Sequence, residues 1–456
     1  MTLFGTAGIR GDVRETVTPE LAVAVGRAAA TEAADSDGFP RFVVARDGRE
    51  TGQALTAAIT AGLTSGGADV IQAGELPTPT LAFASRGRHG VMITASHNPP
   101  HDNGIKLFAD GVEYDSTAEG RIDAQVSDDP PPVEWDRWGD IRSVEPLAAY
   151  RSAVCAYARA YGADLDGRTI VVDCGNGMAS VATPAILRML GAEIIALNAN
   201  IDGHFPGRES KPTPESLSDL RAFVDDRDID FGIAHDGDAD RIVIVDADGD
   251  VIHEDTILAI LAEAYVRASD AGDPVVVTTP NASGRIDERV ETAGGRTTRI
   301  ALGALHEGIA DVRDSAAPET EVVFAAEPWK HIHPAFGGWI DGITSAAVFA
   351  RLVAAAGGTA PLREKVTERP YRKVSVECPD DQKRTAMAFI EERLPESFPD
   401  GDLSTEYGVR IDRDDGSWVL VRPSGTEPYI RIYAESESLD ELLDVTRSVV
   451  EDAVER

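Results

Sequence analysis

The chain has 456 residues, 43% of them hydrophobic, a length that predicts three or four domains and a composition that can form apolar cores. Disordered, collagen-like and fibrous classes are therefore excluded, and no apolar run is long enough to cross a membrane. Lysine and arginine number 43 against 78 for aspartate and glutamate, which gives a formal net charge of −35. This charge disfavours a nucleic-acid partner, because the phosphate backbone would be repelled.

The basic residues are mostly arginine, since only 6 lysines occur in the sequence. Acidic residues spread along the chain, combined with so few lysines, indicate a halophilic protein. In molar salt the Debye length is about 3 Å, so the self-repulsion of the chain would be screened. An ordinary acidic cytoplasmic enzyme is the alternative interpretation.

The cysteines favour a reducing compartment. Cys155, Cys174 and Cys378 have no zinc-binding spacing and are too few for a disulfide framework. No secretory signal is visible at the start of the sequence. We therefore expect a cytoplasmic monomer or homodimer that binds a small molecule and neither nucleic acid nor membrane.

The predicted elements alternate between strands and helices through most of the chain. Thr18 and Pro19 are typical of a helix start, and a second helix is predicted over residues 53–63. This alternation predicts an α/β layer architecture. The predicted strands of this part are residues 41–45, 68–73, 91–94, 169–173, 193–197, 231–235, 242–246, 275–279 and 321–326.

After Arg369-Pro370 the pattern changes to α+β. Strands are predicted at residues 374–377, 418–421 and 430–434, and helices at 384–394 and 439–454. The fold class that we predict is α/β: three similar mixed-sheet domains plus a C-terminal α+β domain around a central cleft. Their predicted boundaries are 1–145, 146–248, 249–366 and 367–456.

In each predicted domain an apolar strand ends in a polar loop, and ligands of open α/β sheets bind at such ends. The loop after residues 231–235 carries Asp236, Asp238 and Asp240, whose alternation directs three carboxylates to one side. Oxygen ligands suit Mg²⁺, Ca²⁺ or Mn²⁺. An EF-hand is excluded, because Ala247 stands where its last glutamate would be. A solvated acidic turn is the alternative.

A second polar loop, residues 94–99 (TASHNP), follows the apolar strand at 91–94. Its serine, Ser96, is a weak nucleophile unless a base or a metal activates it or it is already phosphorylated. His97 is adjacent but does not make a triad. From this loop alone, a turn with a surface lysine at Lys106 is the favoured interpretation.

A third polar loop, residues 422–428 (RPSGTEP), combines arginine, serine, threonine and glycine. Such side chains, together with exposed backbone N–H groups, can bind a phosphate, and Arg431 follows closely. A proline-bounded turn between two strands is the alternative.

Taken together and in order, these segments resemble the α-D-phosphohexomutases, a family that includes phosphoglucomutase/phosphomannomutase and phosphoglucosamine mutase. The resemblance covers almost the whole chain. The segments that carry it are residues 4–11 (FGTAGIRG), 45–52 (ARDGRETG), 75–80 (ELPTPT), 94–106 (TASHNPPHDNGIK), 171–177 (VVDCGNG), 202–217 (DGHFPGRESKPTPESL), 236–241 (DGDADR), the region of Glu327, and 422–428.

The resemblance implies reversible phosphoryl transfer between the 1- and 6-positions of a hexose phosphate. Ser96 would carry the phosphoryl group, with a hexose 1,6-bisphosphate as activator and intermediate, and Ser96 and the three aspartates would hold Mg²⁺. Lys106 would be the general acid/base, for which we expect a lowered pKa. Transferring charge would be stabilised by Arg10, His97 and Arg241.

The resemblance also implies substrate contacts. Glu327 and His331 would bind the sugar ring. The non-reacting phosphate would be bound by Arg422, Ser424, Gly425, Thr426 and Arg431.

The sequence departs from the family pattern in the sugar loop, where many members have G-E-x-S-G-H. Trp329 and Lys330 stand at the serine and glycine positions, and Trp329 could stack on a sugar or only pack the loop. A second departure is Leu305, where relatives have a basic residue; His306 could substitute for it or only occupy a helix face. We expect glucose and mannose phosphates as substrates, with glucosamine phosphate as the alternative.

Two other classes fit part of the pattern. A metal-dependent sugar phosphatase would use the same aspartates but would not need a reusable phosphoserine. A catalytically silent sugar-phosphate-binding protein would not need to keep Ser96, Lys106 and the aspartates together.

Overall fold

The computed structural model describes residues 3–5, 8–37, 40–425 and 427–455. It contains three mixed α/β sheets and a C-terminal antiparallel sheet, which confirms the predicted fold class. The chain forms two compact units, Met1–Ile257 with Val323–Arg363 and Leu258–Val322 with Glu364–Arg456. The division into four domains at the predicted boundaries stays a prediction.

The first sheet has seven strands in the order β1-β5-β4-β2-β3-β7, with β6 beside β5. The parallel strands β2, β3 and β4 were predicted, whereas β1 and β5 were not. Its strands are β1 (Ile9–Asp12), β2 (Arg41–Arg46), β3 (Asp69–Glu75), β4 (His89–Ile93), β5 (Asp102–Ala109), β6 (Val112–Glu113) and β7 (Ile141–Ser143), and its helices are α1 (Pro19–Asp37), α2 (Gly52–Ser65), α3 (Thr78–Ala84) and α4 (Ser116–Asp128), with a 3₁₀ turn at Trp135–Arg137.

Helix α1 begins as predicted, because the Thr18 hydroxyl accepts a hydrogen bond from the N–H of Leu21 at 3.3 Å. Helices α1 and α2 then approach very closely through Gly26 and Gly62. A methyl group on Gly26 would lie 2.5 Å from the carbonyl oxygen of Ile59. This contact requires glycine and lets both helices cover the same face of the sheet.

The second sheet has the order β11-β10-β8-β9, with parallel strands except for the antiparallel pair β10 and β11. After β8 the chain forms a 3₁₀ turn and then a helix that has Pro184 in its first turn. The elements are α5 (Leu147–Ala158), β8 (Thr169–Asp173), a 3₁₀ turn (Met178–Val181), α6 (Thr183–Met189), β9 (Glu193–Leu197), α7 (Ser218–Asp225), β10 (Phe231–Ala234) and β11 (Val243–Val245).

In the third region β12 pairs in parallel with β13, and β14 pairs antiparallel with β15. The elements are α8 (Glu254–Ala268), β12 (Asp273–Thr278), α9 (Gly284–Ala293), β13 (Arg296–Arg299), α10 (Leu305–Asp314), β14 (Thr320–Glu327), β15 (Lys330–Ile332), α11 (Gly342–Ala356) and α12 (Ala360–Arg363).

The C-terminal sheet is antiparallel throughout, in the order β16-β20-β19-β18-β17. Two helices pack on it through apolar residues such as Ile390 and Leu442. The elements are β16 (Tyr371–Glu377), α13 (Lys383–Ser397), β17 (Asp402–Ser404), β18 (Val409–Asp412), β19 (Trp418–Pro423), β20 (Tyr429–Glu435) and α14 (Leu439–Val454).

Within the described ranges, no helix combines the length and the apolar character that a membrane crossing requires.

Candidate active site

Ser96 lies just beyond the carboxyl end of β4 and is fully buried. Its backbone has the left-handed φ of 51°, which is uncommon for a residue other than glycine. The hydroxyl donates to Oδ2 of Asp236 at 2.7 Å, and its oxygen is 3.3 Å from Nδ1 of His97. The structure therefore places the predicted serine beside the first predicted aspartate.

Asp236, Asp238 and Asp240 follow β10 and are all buried. One oxygen of each lies within 4.8 Å of the others. Oδ1 of Asp236 accepts from the N–H of Arg241 at 3.2 Å, and Oδ2 of Asp238 accepts from the Thr78 hydroxyl at 2.6 Å. Oδ1 of Asp238 and Oδ1 of Asp240 accept no hydrogen bond from the described residues. A solvated acidic turn is thus excluded.

The charges of this cluster are unbalanced in a way that suits a divalent cation. Burial, followed by the charges of Asp240 and Asp238, raises the pKa of Asp236 well above its usual value. Burial also acts to raise the pKa of Asp240, but Lys106 and Arg241 outweigh it and hold that pKa below its usual value. Three buried carboxylates with two unused oxygens are a donor set that a hard cation can satisfy.

Lys106 lies on β5, opposite Met92 of β4, and is 2% exposed. Its Nζ is 3.0 Å from Oδ2 of Asp240, 3.3 Å from Oε1 of Glu113 and 3.8 Å from Oδ2 of Asp238. The alternative of a surface lysine is therefore wrong. Burial acts to lower the pKa of Lys106, but the three carboxylates outweigh it and raise the pKa. The expected lowered pKa is thus the opposite of what this environment produces.

His97, Arg241 and Arg10 surround the same cluster. Burial, with the charges of Arg241 and Arg10, lowers the pKa of His97 to about 3. Its ring is therefore neutral near neutral pH in this state and acts through hydrogen bonds. Nε of Arg241 is 3.8 Å from Oδ2 of Asp236 and 3.8 Å from Oδ1 of Asp240. Arg10 lies on β1, opposite Gly104 of β5.

The sugar loop is a two-residue turn between β14 and β15, formed by Pro328 and Trp329. Trp329 has a φ of 66° and packs against the core cluster that includes Val171. This contact shows that the side chain packs the loop. The residues that flank the turn form an ion pair, with Oε2 of Glu327 3.4 Å from Nζ of Lys330.

His331, on β15, is buried, and its Nδ1 is 2.9 Å from the hydroxyl of Ser345. Burial, with a contribution from His333, lowers the pKa of His331 to about 3. The second ring nitrogen, Nε2, has no hydrogen-bond partner among the described residues. It therefore has an unused capacity to form a hydrogen bond. The other histidine considered from the sequence, His306, lies in the first turn of α10 and is half-buried.

The predicted phosphate-binding residues lie in the other compact unit. Arg422 on β19 and Arg431 on β20 are directly opposite each other, and Arg431 forms an ion pair with Glu427. Like charges in such a pair are unfavourable unless an anion lies near them. The buried hydroxyl of Ser424 has no partner among the described residues. Gly425 follows with open space around its α-carbon, and Thr426 lies outside the described residues.

Several polar residues that touch this cluster had no role in the sequence analysis. The Thr94 hydroxyl accepts from the N–H of Ser96 at 2.9 Å, and Thr78 and Glu113 contact Asp238 and Lys106 as described above. Arg49 donates to the carbonyl oxygen of Ser96 at 2.9 Å. Arg49 and Thr78 lie in the segments 45–52 and 75–80, so the resemblance could have drawn attention to them.

Comparisons with known proteins point to a single family. Three sequence models of the phosphoglucomutase/phosphomannomutase family match this chain. They cover residues 1–131 (alpha/beta/alpha domain I), 148–249 (alpha/beta/alpha domain II) and 373–452 (C-terminal domain). The chain is 40% identical to a phosphopentomutase of Thermococcus kodakarensis, over 99% of this chain and 98% of that protein. It is 42% identical to a probable phosphoglucosamine mutase of Methanopyrus kandleri, over 99% of each.

The fold is shared as well. A phosphoglucomutase/phosphomannomutase family protein from Burkholderia thailandensis superposes with a TM-score of 0.84 at 26% identity, over 99% of this chain and 97% of that one. The chain belongs to the α-D-phosphohexomutase superfamily, whose members are isomerases that act by intramolecular phosphoryl transfer.

Proposed function

We propose that Ser96 is the phosphoryl carrier of a sugar-phosphate mutase. The observation that carries this proposal is the 2.7 Å hydrogen bond between the Ser96 hydroxyl and a buried aspartate of the triad. In the first half-reaction the bond between phosphorus and Oγ of Ser96 breaks, and a bond between phosphorus and a sugar hydroxyl oxygen forms. The hydroxyl proton ends on Oγ of Ser96. The reverse step then returns the other phosphate of the sugar bisphosphate to Ser96.

The basic groups around Ser96 are proposed to serve this transfer. Lys106 is proposed to exchange the hydroxyl proton; its raised pKa keeps the ammonium protonated in the unphosphorylated state. Arg10 and Arg241 are proposed to stabilise the negative charge of the moving phosphoryl group, and His97 to hydrogen-bond it. Positioning and electrostatics of this kind dominate phosphoryl transfer.

We propose Mg²⁺ as the ion of the triad, held by Asp236, Asp238 and Asp240 and by an oxygen on Ser96. When bound, the ion would neutralise charge on the phosphoryl oxygens. The donor set supports this choice, because it offers only oxygen ligands and leaves two carboxylate oxygens without hydrogen bonds.

Two further groups of residues are proposed to bind substrate. Glu327 and His331 would accept hydrogen bonds from the sugar, since one is a carboxylate and the other a neutral imidazole. A phosphate group of the substrate would be bound by Arg422, Ser424, Gly425, Thr426 and Arg431.

The names of the relatives favour glucosamine phosphate over the glucose and mannose phosphates expected from the sequence. The Methanopyrus kandleri relative carries such a name at 42% identity. We therefore propose phosphoglucosamine mutase activity first. The carboxylate of Glu327 could pair with the ammonium of this substrate at the edge of the sugar loop.

A pentose phosphate is the second candidate, because a specific contact favours it. Lys330 already pairs with Glu327 at 3.4 Å, so the carboxylate has less charge to offer an ammonium. A sugar that presents only hydroxyl groups would not compete with Lys330. The Thermococcus kodakarensis relative carries the name phosphopentomutase.

One experiment separates these substrates. We would measure kcat/KM for the 1-phosphates of glucosamine, ribose, glucose and mannose on one preparation, together with inorganic phosphate release, for the wild type and Lys330→Gly. A tenfold or greater preference for glucosamine 1-phosphate supports the first proposal. A preference for ribose 1-phosphate that Lys330→Gly abolishes supports the second, and phosphate release faster than isomerisation would indicate a phosphatase.

A further inference from the structure

We infer that Arg49 is a positioning residue for the phosphoryl carrier. It touches neither the aspartate triad nor Lys106 through any described hydrogen bond, yet it holds the loop that carries Ser96. The inference rests on the proposed role of Ser96. It assigns a function to an arginine that takes no direct part in the bonds that break and form.

The guanidinium of Arg49 binds one loop through almost all of its donors. Its side chain is fully buried. Nη2 donates to the carbonyl oxygens of Ser96 at 2.9 Å and Asn98 at 2.7 Å. Nη1 donates to those of Pro99 at 2.5 Å and Asp102 at 2.8 Å. Four carbonyl groups of residues 96–102 therefore converge on a single planar cation.

The remaining donor fixes Arg49 itself. Nε donates to Oδ2 of Asp47 at 3.1 Å, and the same oxygen accepts from the Thr94 hydroxyl at 2.6 Å. The Thr94 oxygen in turn accepts from the N–H of Ser96 at 2.9 Å. The amide and the carbonyl of Ser96 are thus both connected to Asp47, one through Thr94 and the other through Arg49.

This network acts on the residue whose backbone is unusual. Ser96 has a left-handed φ of 51°, and such a conformation persists only where the surroundings determine it. The φ of Ser96 sets the direction of its Cα–Cβ bond and so limits the positions that Oγ can take beside Asp236. A network that holds both sides of this residue therefore holds Oγ in line for transfer, and it must do so with and without a phosphoryl group on the oxygen.

Lysine cannot replace Arg49 in this role. It has three donors on a single nitrogen, whereas the planar guanidinium reaches four carbonyls and a carboxylate at once. Arg351 provides a matched control. It is also buried, and it bonds the carbonyl oxygen of Tyr161 and a carboxylate oxygen of Asp164, each at 2.8 Å, without contacting the Ser96 loop in the described structure.

The experiment compares Arg49→Lys with Arg351→Lys. Each protein is phosphorylated with glucose 1,6-bisphosphate, the phosphate is located by mass spectrometry, and its transfer to the substrate of highest kcat/KM is followed in single turnovers. Misplacement of a reacting group by about 1 Å costs on the order of 100-fold in rate. We expect Arg49→Lys to lose this much in transfer rate with a KM within about threefold of wild type. Arg351→Lys should transfer at the wild-type rate with a similar loss of Tm.

A second variant guards against loss of folding. Arg49→Ala removes the buried guanidinium beside a cavity of about 740 Å³ that is lined in part by Gly48, Arg49 and Glu50. Millimolar guanidinium should therefore restore at least tenfold of the transfer rate of Arg49→Ala, and methylammonium should not.

Three outcomes contradict the inference: wild-type transfer by Arg49→Lys, an equal loss in Arg351→Lys, or a loss confined to KM. If the wild type carries no phosphate on Ser96, the proposed function itself fails and this inference fails with it. If Ser96 is phosphorylated and Arg49→Lys transfers normally, only the role of Arg49 is overturned.

Discussion

Asp238 is one of the two triad aspartates that have a carboxylate oxygen without a hydrogen bond from the described residues. It is fully buried, its Oδ2 accepts from Thr78, and its Oδ1 has no hydrogen bond from the described residues. We expect Asp238→Asn to weaken Mg²⁺ binding and to lower kcat/KM by about 100-fold or more, because even indirect partners of metal ligands are worth 10–100-fold.

Mg²⁺ titrations of activity and of thermal stability would measure this effect. Asp246→Asn is a suitable control, since Asp246 is also buried but pairs with Arg363 at 2.8 Å. An unchanged Mg²⁺ affinity in Asp238→Asn, or full activity after exhaustive chelation, would contradict the proposed metal site.

Sequence reasoning could group polar residues that are neighbours in the chain. The three aspartates could be predicted because they alternate directly after an apolar strand. The raised pKa of Lys106 could not be predicted, because Glu113 and Asp240 come close to Lys106 only in the folded sheet and through a loop that is distant in sequence. For the same reason no role could be predicted for Arg49, although it lies in the segment 45–52. Its partners are some fifty residues away in the chain.

At the scale of elements, strand β15 and helix α11 enclose two neutral histidines. His331 and His333 both contact the Ser345 hydroxyl at 2.9 Å, and burial is the main cause that lowers the pKa of each to about 3. An unfolded histidine has a pKa of about 6.5. Below that pH the unfolded chain binds protons that the folded chain does not, so the free energy of unfolding falls as the pH falls toward 3.

Together the two histidines should make this free energy fall by about 3 kcal/mol per pH unit near pH 5, at about 1.4 kcal/mol per proton. Denaturant titrations between pH 7 and 4.5 would measure the slope. The variant His331→Asn/His333→Gln keeps polar atoms near the positions of the bonded nitrogens but does not titrate. It should have a shallower slope than the wild type; equal slopes would contradict the assignment.

Elements with strong apolar patterns were predicted well, and those without were not. The prediction of residues 169–173 matches β8, and that of 439–454 matches α14. Strands β1 and β5 contain glycine, arginine, aspartate and asparagine, so their sequence gives no strand pattern. They form because β5 pairs with both β4 and β1, a long-range contact that a local pattern does not contain.

At the scale of the whole molecule, the net charge of −35 governs the response to salt. We expect the Tm to rise as KCl increases from dilute toward molar, because at about 1 M the Debye length is only about 3 Å and self-repulsion is screened. Calorimetry in a KCl series would test this, with sucrose as a stabilising solute that does not screen charge. A Tm that rises in sucrose but not in KCl would contradict the halophilic interpretation and favour an ordinary acidic enzyme.

The phosphoryl group on Ser96 is the central assignment, and its direct detection is the decisive measurement. After incubation with glucose 1,6-bisphosphate, peptide mass spectrometry should locate phosphate on Ser96 of the wild type and of Ser65→Ala, a control at another buried serine. Ser96→Ala should carry none and should lose at least about 4 kcal/mol of transition-state stabilisation, roughly a thousandfold in rate. Phosphate on another residue, or turnover by Ser96→Ala at the wild-type rate, would contradict the assignment.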